Sequence, residues 1–378
     1  MPNCRRRLYT YNRGRQGCPG LHTKMLTPSA SESHELFQGN RSAENQQRSW
    51  AMFVLVLCWL AALISCAKTS NARKSYTIAV IPQGSTYEYW KSIHAGAAKA
   101  VVDLVGQGTK VNIIWKGPLR EGDREEQARI VEGFVAQGVS GIVLVPLDSH
   151  ALVRPVEEAA AAGIPTLIVD SALDSTKIVS YVATDNNQGG VIAADRMGAL
   201  LKGQGKVLLL RFEEGVASTH AREEGFVQEL RTRFPRIELI SSNQFAGPTR
   251  ETARQTSENL LTRYGGQLQG VFTPNESSTV GMLLALQDIN QAGKVAFLGF
   301  DLSDTFITAL GNGQLQGVVV QNPFRMGELG VKMMVEHLEG MPVEPRVDTG
   351  VLMVTPENLN RPETQELVHP PLSKYLGE

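Results

Sequence analysis

From Tyr76 onward, short aliphatic runs recur along the chain: YTIAVI at 76–81, VNIIW at 111–115, GIVLV at 141–145, TLIVD at 166–170 and IVSYVA at 178–183. A second series follows, with KVLLL at 206–210, IELIS at 237–241, GVFT at 270–273, KVAFLGF at 294–300 and GVVV at 317–320. Most are apolar throughout instead of alternating, the pattern of strands buried on both faces of a parallel sheet. Between them lie amphipathic stretches of helix length. Asp123 with Glu126 three residues on is a capping-box start, and Asn322-Pro323 offers an N-cap followed by proline at the first helical position. Gly163, Gly293 and Gly340 stand where helices should stop. Strand then helix, repeated through two series, predicts an α/β fold of two doubly wound parallel-sheet lobes.

The first 75 residues break this rhythm. Residues 1–49 are rich in Arg, Ser, Gln and Asn with few large apolar side chains, a composition that buries too little surface to offset its ordering entropy. Residues 50–66 read as a signal peptide: Trp50 to Ile64 is uncharged and strongly apolar, too short for a spanning helix of about 20 residues. Leu63-Ile64-Ser65-Cys66 resembles the bacterial lipoprotein cleavage box, and no cysteine follows Cys66. The resemblance implies cleavage before Cys66 and lipidation of its thiol, with residues 67–75 as a tether. Because 49 residues are long for a signal's positive flank, Met25 is an alternative start, with Arg41 and Arg48 as that flank.

Charge narrows the partners. Residues 1–50 hold 8 Lys and Arg against 3 Asp and Glu, leaving 29 against 35 of the totals 37 and 38. A mildly acidic body lacks the clustered cations that phosphate contacts need, so no nucleic-acid partner is expected. The seven histidines are scattered, and neither a metal site nor a cofactor is expected.

Ligands of open parallel sheets bind beyond the carboxyl ends of the strands. There the chain places Gln83, Tyr87, Tyr89 and Trp90, then Asp148, then Asp170 and Ser171. The second series ends in Arg211 and Glu213, Asn275 and Glu276, Asp301, and Gln321 and Asn322. Amides and carboxylates of this kind match vicinal hydroxyls, and aromatic faces complement the C–H face of a sugar ring. A phosphate site would show glycine-rich turns and cations instead. Asp185, Asn186 and Asn322 read as helix N-caps. Trp90 and Tyr89 open a helix over 89–105, so one of them is expected in the core. Arg222 with Glu223 and Glu224 reads as a solvated or paired helix face.

Laid out this way, the body resembles the periplasmic sugar-binding proteins of bacterial ABC transporters, in the ribose-binding-like branch of the type I periplasmic binding protein fold. The likeness runs over nearly all of 76–356, through TIAVIPQGSTYEYW, GFVAQGVSGIVLVPLDS, AAAAGIPTLIVDSAL, VATDNNQGG, AREEGF, VFTPNES, FLGFDLSD, VVVQNPFRMG and DTGVLMVTPENL. It implies two lobes joined by a three-crossing hinge near 183–185, 321–322 and 349. Lobe 1 is then 76–184 plus 322–349, and lobe 2 is 185–321 plus 350–378. The implied ligand residues are Gln83, Tyr87, Tyr89, Trp90, Asp170 and Ser171 from lobe 1, and Asn275, Asp301 and Gln321 from lobe 2. Ser171 replaces a common arginine, and His220 stands where ribose binders place another and is expected to take its place as a ligand residue, so two recognition cations are expected to be missing and ribose specificity is not inherited.

The resemblance implies a monomeric, lipid-anchored receptor in the periplasm or cell envelope that passes a sugar to ABC permease subunits. The alternative is a sugar-sensing subunit docking on a chemoreceptor or sensor-kinase ectodomain. Asp170 and Asp301 facing one cleft make a glycosidase pair conceivable, but no nucleophile or metalloprotease motif accompanies them, so no enzymatic activity is expected. A transcriptional repressor of related fold needs a DNA-binding head where the signal peptide stands.

Overall fold

Continuous aliphatic runs become strands because only a site covered on both faces accepts them, and helices on either side supply the cover. The structure, a computed structural model, describes residues 75–377 together with Met52. The extension 1–49, the signal segment with Cys66 and nearly all of the tether lie outside the described residues.

The first sheet holds β1 (Ser75–Ile81), β2 (Lys110–Trp115), β3 (Gly141–Leu144), β4 (Thr166–Val169), β5 (Tyr181–Ala183) and β11 (Arg346–Asp348) in the order β11-β5-β4-β3-β1-β2. The second holds β6 (Gln204–Arg211), β7 (Arg236–Phe245), β8 (Gly270–Phe272), β9 (Ala296–Phe300), β10 (Gly317–Val320) and β12 (Leu352–Val354) in the order β12-β10-β9-β8-β6-β7. The two orders are equivalent strand for strand. All pairings are parallel except β10 with β12. Central strands such as β3 and β4 are buried at every residue, in keeping with their unbroken apolar sequence.

In lobe 1, α1 (Glu88–Gly106) and α9 (Pro323–Leu338) cover one face, and α2 (Arg124–Gln137) with α3 (Val153–Ala161) cover the other. In lobe 2, α4 (Asn186–Leu200) and α5 (Ala217–Arg233) lie on one face, and α6 (Arg250–Tyr264), α7 (Glu276–Asp288) and α8 (Asp304–Gly311) on the other. Several helix starts follow the sequence. Asp123 accepts from the Glu126 N–H at 3.0 Å, Asp185 from Gln188 at 3.0 Å and Asn322 from Arg325 at 2.9 Å. Asn186, also expected as a cap, instead sits inside the first turn of α4.

The chain crosses between lobes after β5, after β10 and between β11 and β12, as expected. The crossings are tied together: Thr184 Oγ1 donates to the Gly350 carbonyl at 3.0 Å, and the Asp185 N–H donates to Asp348 Oδ1 at 3.1 Å. The tail departs from the expected boundary. Helix α10 (Pro362–Val368) sets Leu367 and Val368 against lobe 2, but α11 (Leu372–Leu376) packs on α1 of lobe 1, with Tyr375 and Phe324 ring centroids 5.8 Å apart. Residues 350–378 therefore do not all belong to lobe 2. Among the described residues, no helix is long and apolar enough to cross a membrane.

Candidate functional site

The carboxyl ends of the two sheets face one another, and the turns leaving them line a narrow cleft. Asp170 follows β4 and Asp301 follows β9, equivalent places in the two lobes, and each has left-handed backbone at φ 66° and 67°. Their N–H groups still bond to the neighbouring strand, Asp170 to the Val182 carbonyl at 3.0 Å and Asp301 to the Val319 carbonyl at 2.8 Å. The turn thus drives each carboxylate off the sheet edge. Asp tolerates this conformation better than other side chains carrying a Cβ, yet it is a cost, and such outliers concentrate at functional sites.

Both carboxylates are held. Tyr89 donates its hydroxyl to Asp170 Oδ1 at 2.5 Å. Asp301 Oδ1 accepts from Gln321 Nε2 at 2.7 Å and its Oδ2 from the Glu276 N–H at 3.2 Å. Burial pushes both acids up, Asp301 to about 6, with Arg222 opposing the shift in each. Burial pushes the Tyr89 hydroxyl well above its usual range as well, aided by Asp170 and Asp301.

Arg222 lies at the centre of this arrangement, only 2% exposed. Its Nε donates to Asn186 Oδ1 at 2.8 Å and one terminal nitrogen to the Pro274 carbonyl at 2.9 Å. The other stands 4.0 Å from Asp170, while the guanidinium lies over the Phe300 ring at 3.9 Å. Its place is set by the close approach of α4 and α5. A Cβ on Gly190 would collide with the Arg222 carbonyl, and one on Gly225 with the Asn187 carbonyl. Of the solvated or paired helix face expected here, the solvated reading is corrected for Arg222 and for Glu223, which is 2% exposed and accepts from the Phe212 N–H at 3.0 Å, while pairing holds for Glu223 with Arg211 at 3.5 Å. Arg222 thus brings a buried cation to the cleft, at a position other than Ser171 and His220.

Of the expected site residues, Gln83, Tyr87, Tyr89, Trp90, Asp170, Asn275, Asp301 and Gln321 line the cleft. Gln83 Nε2 donates to the Pro146 carbonyl at 2.7 Å, tying the ends of β1 and β3 together. Tyr87 sits just before α1, which starts at Glu88, one residue earlier than expected, and the Arg250 guanidinium lies 4.7 Å from its ring centroid. Asn275 doubles as the N-cap of α7, accepting from the Ser278 N–H. Ser171 is buried and accepts from the Ser218 N–H at 3.2 Å across the lobes, outside the cleft lining. His220 is a correction: it is exposed, lies outside the lining and pairs with Glu224 at 3.2 Å, because a residue two before Arg222 on α5 points away from the lobe.

Sequence reasoning missed Glu121, which lines the cleft and accepts from Trp90 Nε1 at 2.7 Å. Burial pushes its acid up to about 8, the Trp90 hydrogen bond opposing, and Glu276, Asp301 and Asp170 pushing the same way. It lies in the turn after β2, so the strand-end rule applied to every strand would have found it. At the cleft rim the lobes touch. Arg124 donates to the Glu214 carbonyl at 2.6 Å and pairs with Asp148 at 3.1 Å, while the Ser149 N–H donates to the Gly215 carbonyl at 2.9 Å. The structure is a closed form. Among the described residues no group of His, Cys, Asp and Glu could hold a metal ion.

Chemically, the cleft offers acceptors in Glu121, Asp170 and Asp301, donors in Arg222 and the amides, and aromatic faces. These groups suit recognition of hydroxyls. A family model described as a periplasmic binding protein domain matches residues 78–342. The ribose import binding protein RbsB of Bacillus subtilis strain 168 is 28% identical, the match covering 81% of this chain and 96% of that protein. A carbohydrate transporter solute-binding protein from Agrobacterium radiobacter, solved with D-arabinose, is 34% identical with a TM-score of 0.73, covering 79% of this chain and 100% of that one. An ABC transporter solute-binding protein from Agrobacterium vitis, solved with D-fucose, is 30% identical with a TM-score of 0.71, covering 78% and 100%.

Proposed function

Since the chain belongs to the periplasmic binding protein family, in its ribose-binding-like branch, we propose that it is an extracytoplasmic receptor that captures a sugar between its lobes and delivers it to an ABC permease. The relatives are sugar-binding transport proteins, not enzymes. The observation that carries the reading is the meeting of Asp170, Arg222, Asp301 and Gln321 from both lobes in one cleft walled by Tyr87, Tyr89 and Trp90. Carbohydrate hydroxyls donate to the carboxylates and accept from the guanidinium, and the aromatic rings cover the ring's C–H face. The unit held in the cleft is a monosaccharide or related polyol, in line with the arabinose and fucose complexes of the relatives. Capture is closure of the hinge, which removes water from the polar contacts and strengthens them.

Cys66 at the end of the apolar run anchors the receptor to the membrane through lipid on its sulfur, which keeps it near its permease. Cys66→Ala is expected to move the protein from the membrane to the soluble fraction. The sugar claim is tested by thermal shift of the protein against pentoses, hexoses, deoxysugars and polyols. A ligand at 100 times its dissociation constant adds about 2.7 kcal/mol, a shift of several degrees. No shift with any of them would reject the reading.

A further inference from the structure

Beside the cleft, behind a partition of Tyr89, Asp301 and Gln321, lies a second cavity of about 240 Å³. It opens to solvent and is bordered by the first turns of α1, the turn into α8, the hinge at Val320 and the tail at Leu367. The cleft itself retains only about 30 Å³. A water needs about 10–15 Å³ and a benzene ring fits a cavity of about 150 Å³, so with the lobes closed the neighbour has room for a substituted ring, whereas the cleft takes its sugar with the lobes parted.

The polar groups of the cleft largely answer one another, as the bonds of Tyr89, Trp90, Asp301 and Arg222 show. The open demand lies on the other side of the partition. Ser92 Oγ, Ser303 Oγ and Gln321 Oε1 are buried and have no protein partner, and all three residues line the larger cavity. Ser303 even occupies the N-cap of α8 without making a side-chain capping bond, so its hydroxyl is not used by the helix. The two hydroxyls donate and accept, and the amide oxygen accepts. Glu88, Asp301 and Asp304 border the cavity and no Lys or Arg does, which disfavours phosphate or carboxylate groups. Ile307, Val320 and Leu367 supply an apolar wall of the kind that covers the C–H face of a ring.

We propose that cleft and cavity form one extended site, and that the ligand carries a second uncharged hydroxylated ring, as in a disaccharide or glycoside, seated against Ser92, Ser303 and Ile307. Gln321 joins the two halves, its Nε2 serving Asp301 and its Oε1 the distal ring. The proposal rests on the sugar-receptor reading above and extends it.

The test is calorimetric titration of the full chain with D-glucose, D-galactose, D-arabinose and D-fucose, and with α- and β-linked glucosyl disaccharides of each. At least one disaccharide is expected to bind about tenfold tighter than its parent sugar or more. Ser92→Leu and Ile307→Phe, which fill the cavity from different helices, are expected to abolish that gain and to leave the parent sugar within about twofold. Parent sugars that bind with no disaccharide gaining, or a gain that survives both substitutions, would overturn the extended site and leave the receptor reading standing. If sugars of neither size bind, both readings fall together.

Discussion

Trp90 donates its indole N–H to Glu121 across 2.7 Å, holding a carboxyl group in the cleft wall that burial has pushed up to about 8. Asp301 is raised to about 6. Both acids keep their protons in the folded protein at pH values where the unfolded chain has released them. The folded state then binds more protons, so this contribution to stability is fully present below the ordinary carboxylate range and is lost as pH rises through 6 and then 8. The melting temperature of the ligand-free protein is expected to fall between pH 5 and pH 8.5. Glu121→Gln should flatten the upper part of that fall. An unchanged slope in the variant would contradict the assignment.

Arg222 is the only guanidinium within ion-pair distance of Asp170 and also fills two buried acceptors, Asn186 Oδ1 and the Pro274 carbonyl, among the described residues. Arg222→Met leaves these groups unanswered in a buried site. Breaking a buried pair costs about 3–5 kcal/mol, so the melting temperature should drop by roughly 6–12 °C. Arg222→Lys restores the charge without the planar fork and should recover less than half of the loss. Thermal melts of the two variants side by side check both statements.

Gly190 and Gly225 set how closely α4 and α5 approach, and through that contact where Arg222 stands. A methyl group at Gly225 meets backbone that cannot turn aside, so Gly225→Ala should cost about 1–3 kcal/mol. It should also weaken sugar binding although Gly225 does not line the cleft. A variant that loses stability but binds sugar as before would separate the helix contact from the site.

Most of the architecture was legible because buried parallel strands write themselves as unbroken aliphatic runs, and most of β1 through β10 fall on such runs, β7 being the exception that continues past IELIS through Ser242, Asn243 and Gln244. Strand β11 does not: it has three residues, two of them exposed, and no apolar run marks it. Strand β12 lies on the apolar run 351–354, but only the resemblance tied it to the third crossing. The cleft residues after β4, β9 and β10 followed from their place at strand ends. Arg222 was missed because AREEGF reads as a charged, solvated helix turn, and its burial depends on Phe300 and Asp170, which come from elsewhere in the chain and, for Asp170, from the other lobe. His220 was misplaced for the complementary reason, since a shift of two residues on a helix carries a side chain to a different face. The return of α11 to lobe 1 was not legible because a helix of five residues, whose half-buried Leu372, Tyr375 and Leu376 share one face, does not say which surface that face packs on.

Asp301 is where the account is most exposed to test. It is 6% exposed, is held by Gln321 and the Glu276 N–H, and lines the cleft with Arg222 of its own lobe and Asp170 of the other. Asp301→Asn keeps the side chain's size and its tolerance of left-handed backbone but removes the charged acceptor. A hydrogen bond to a charged group is worth about 1.5–3 kcal/mol, so sugar affinity by calorimetric titration should fall roughly 10- to 150-fold, with the ligand-free melting temperature unchanged or raised. Equal affinity in the wild type and in Asp301→Asn would contradict the claim that this cleft binds the sugar.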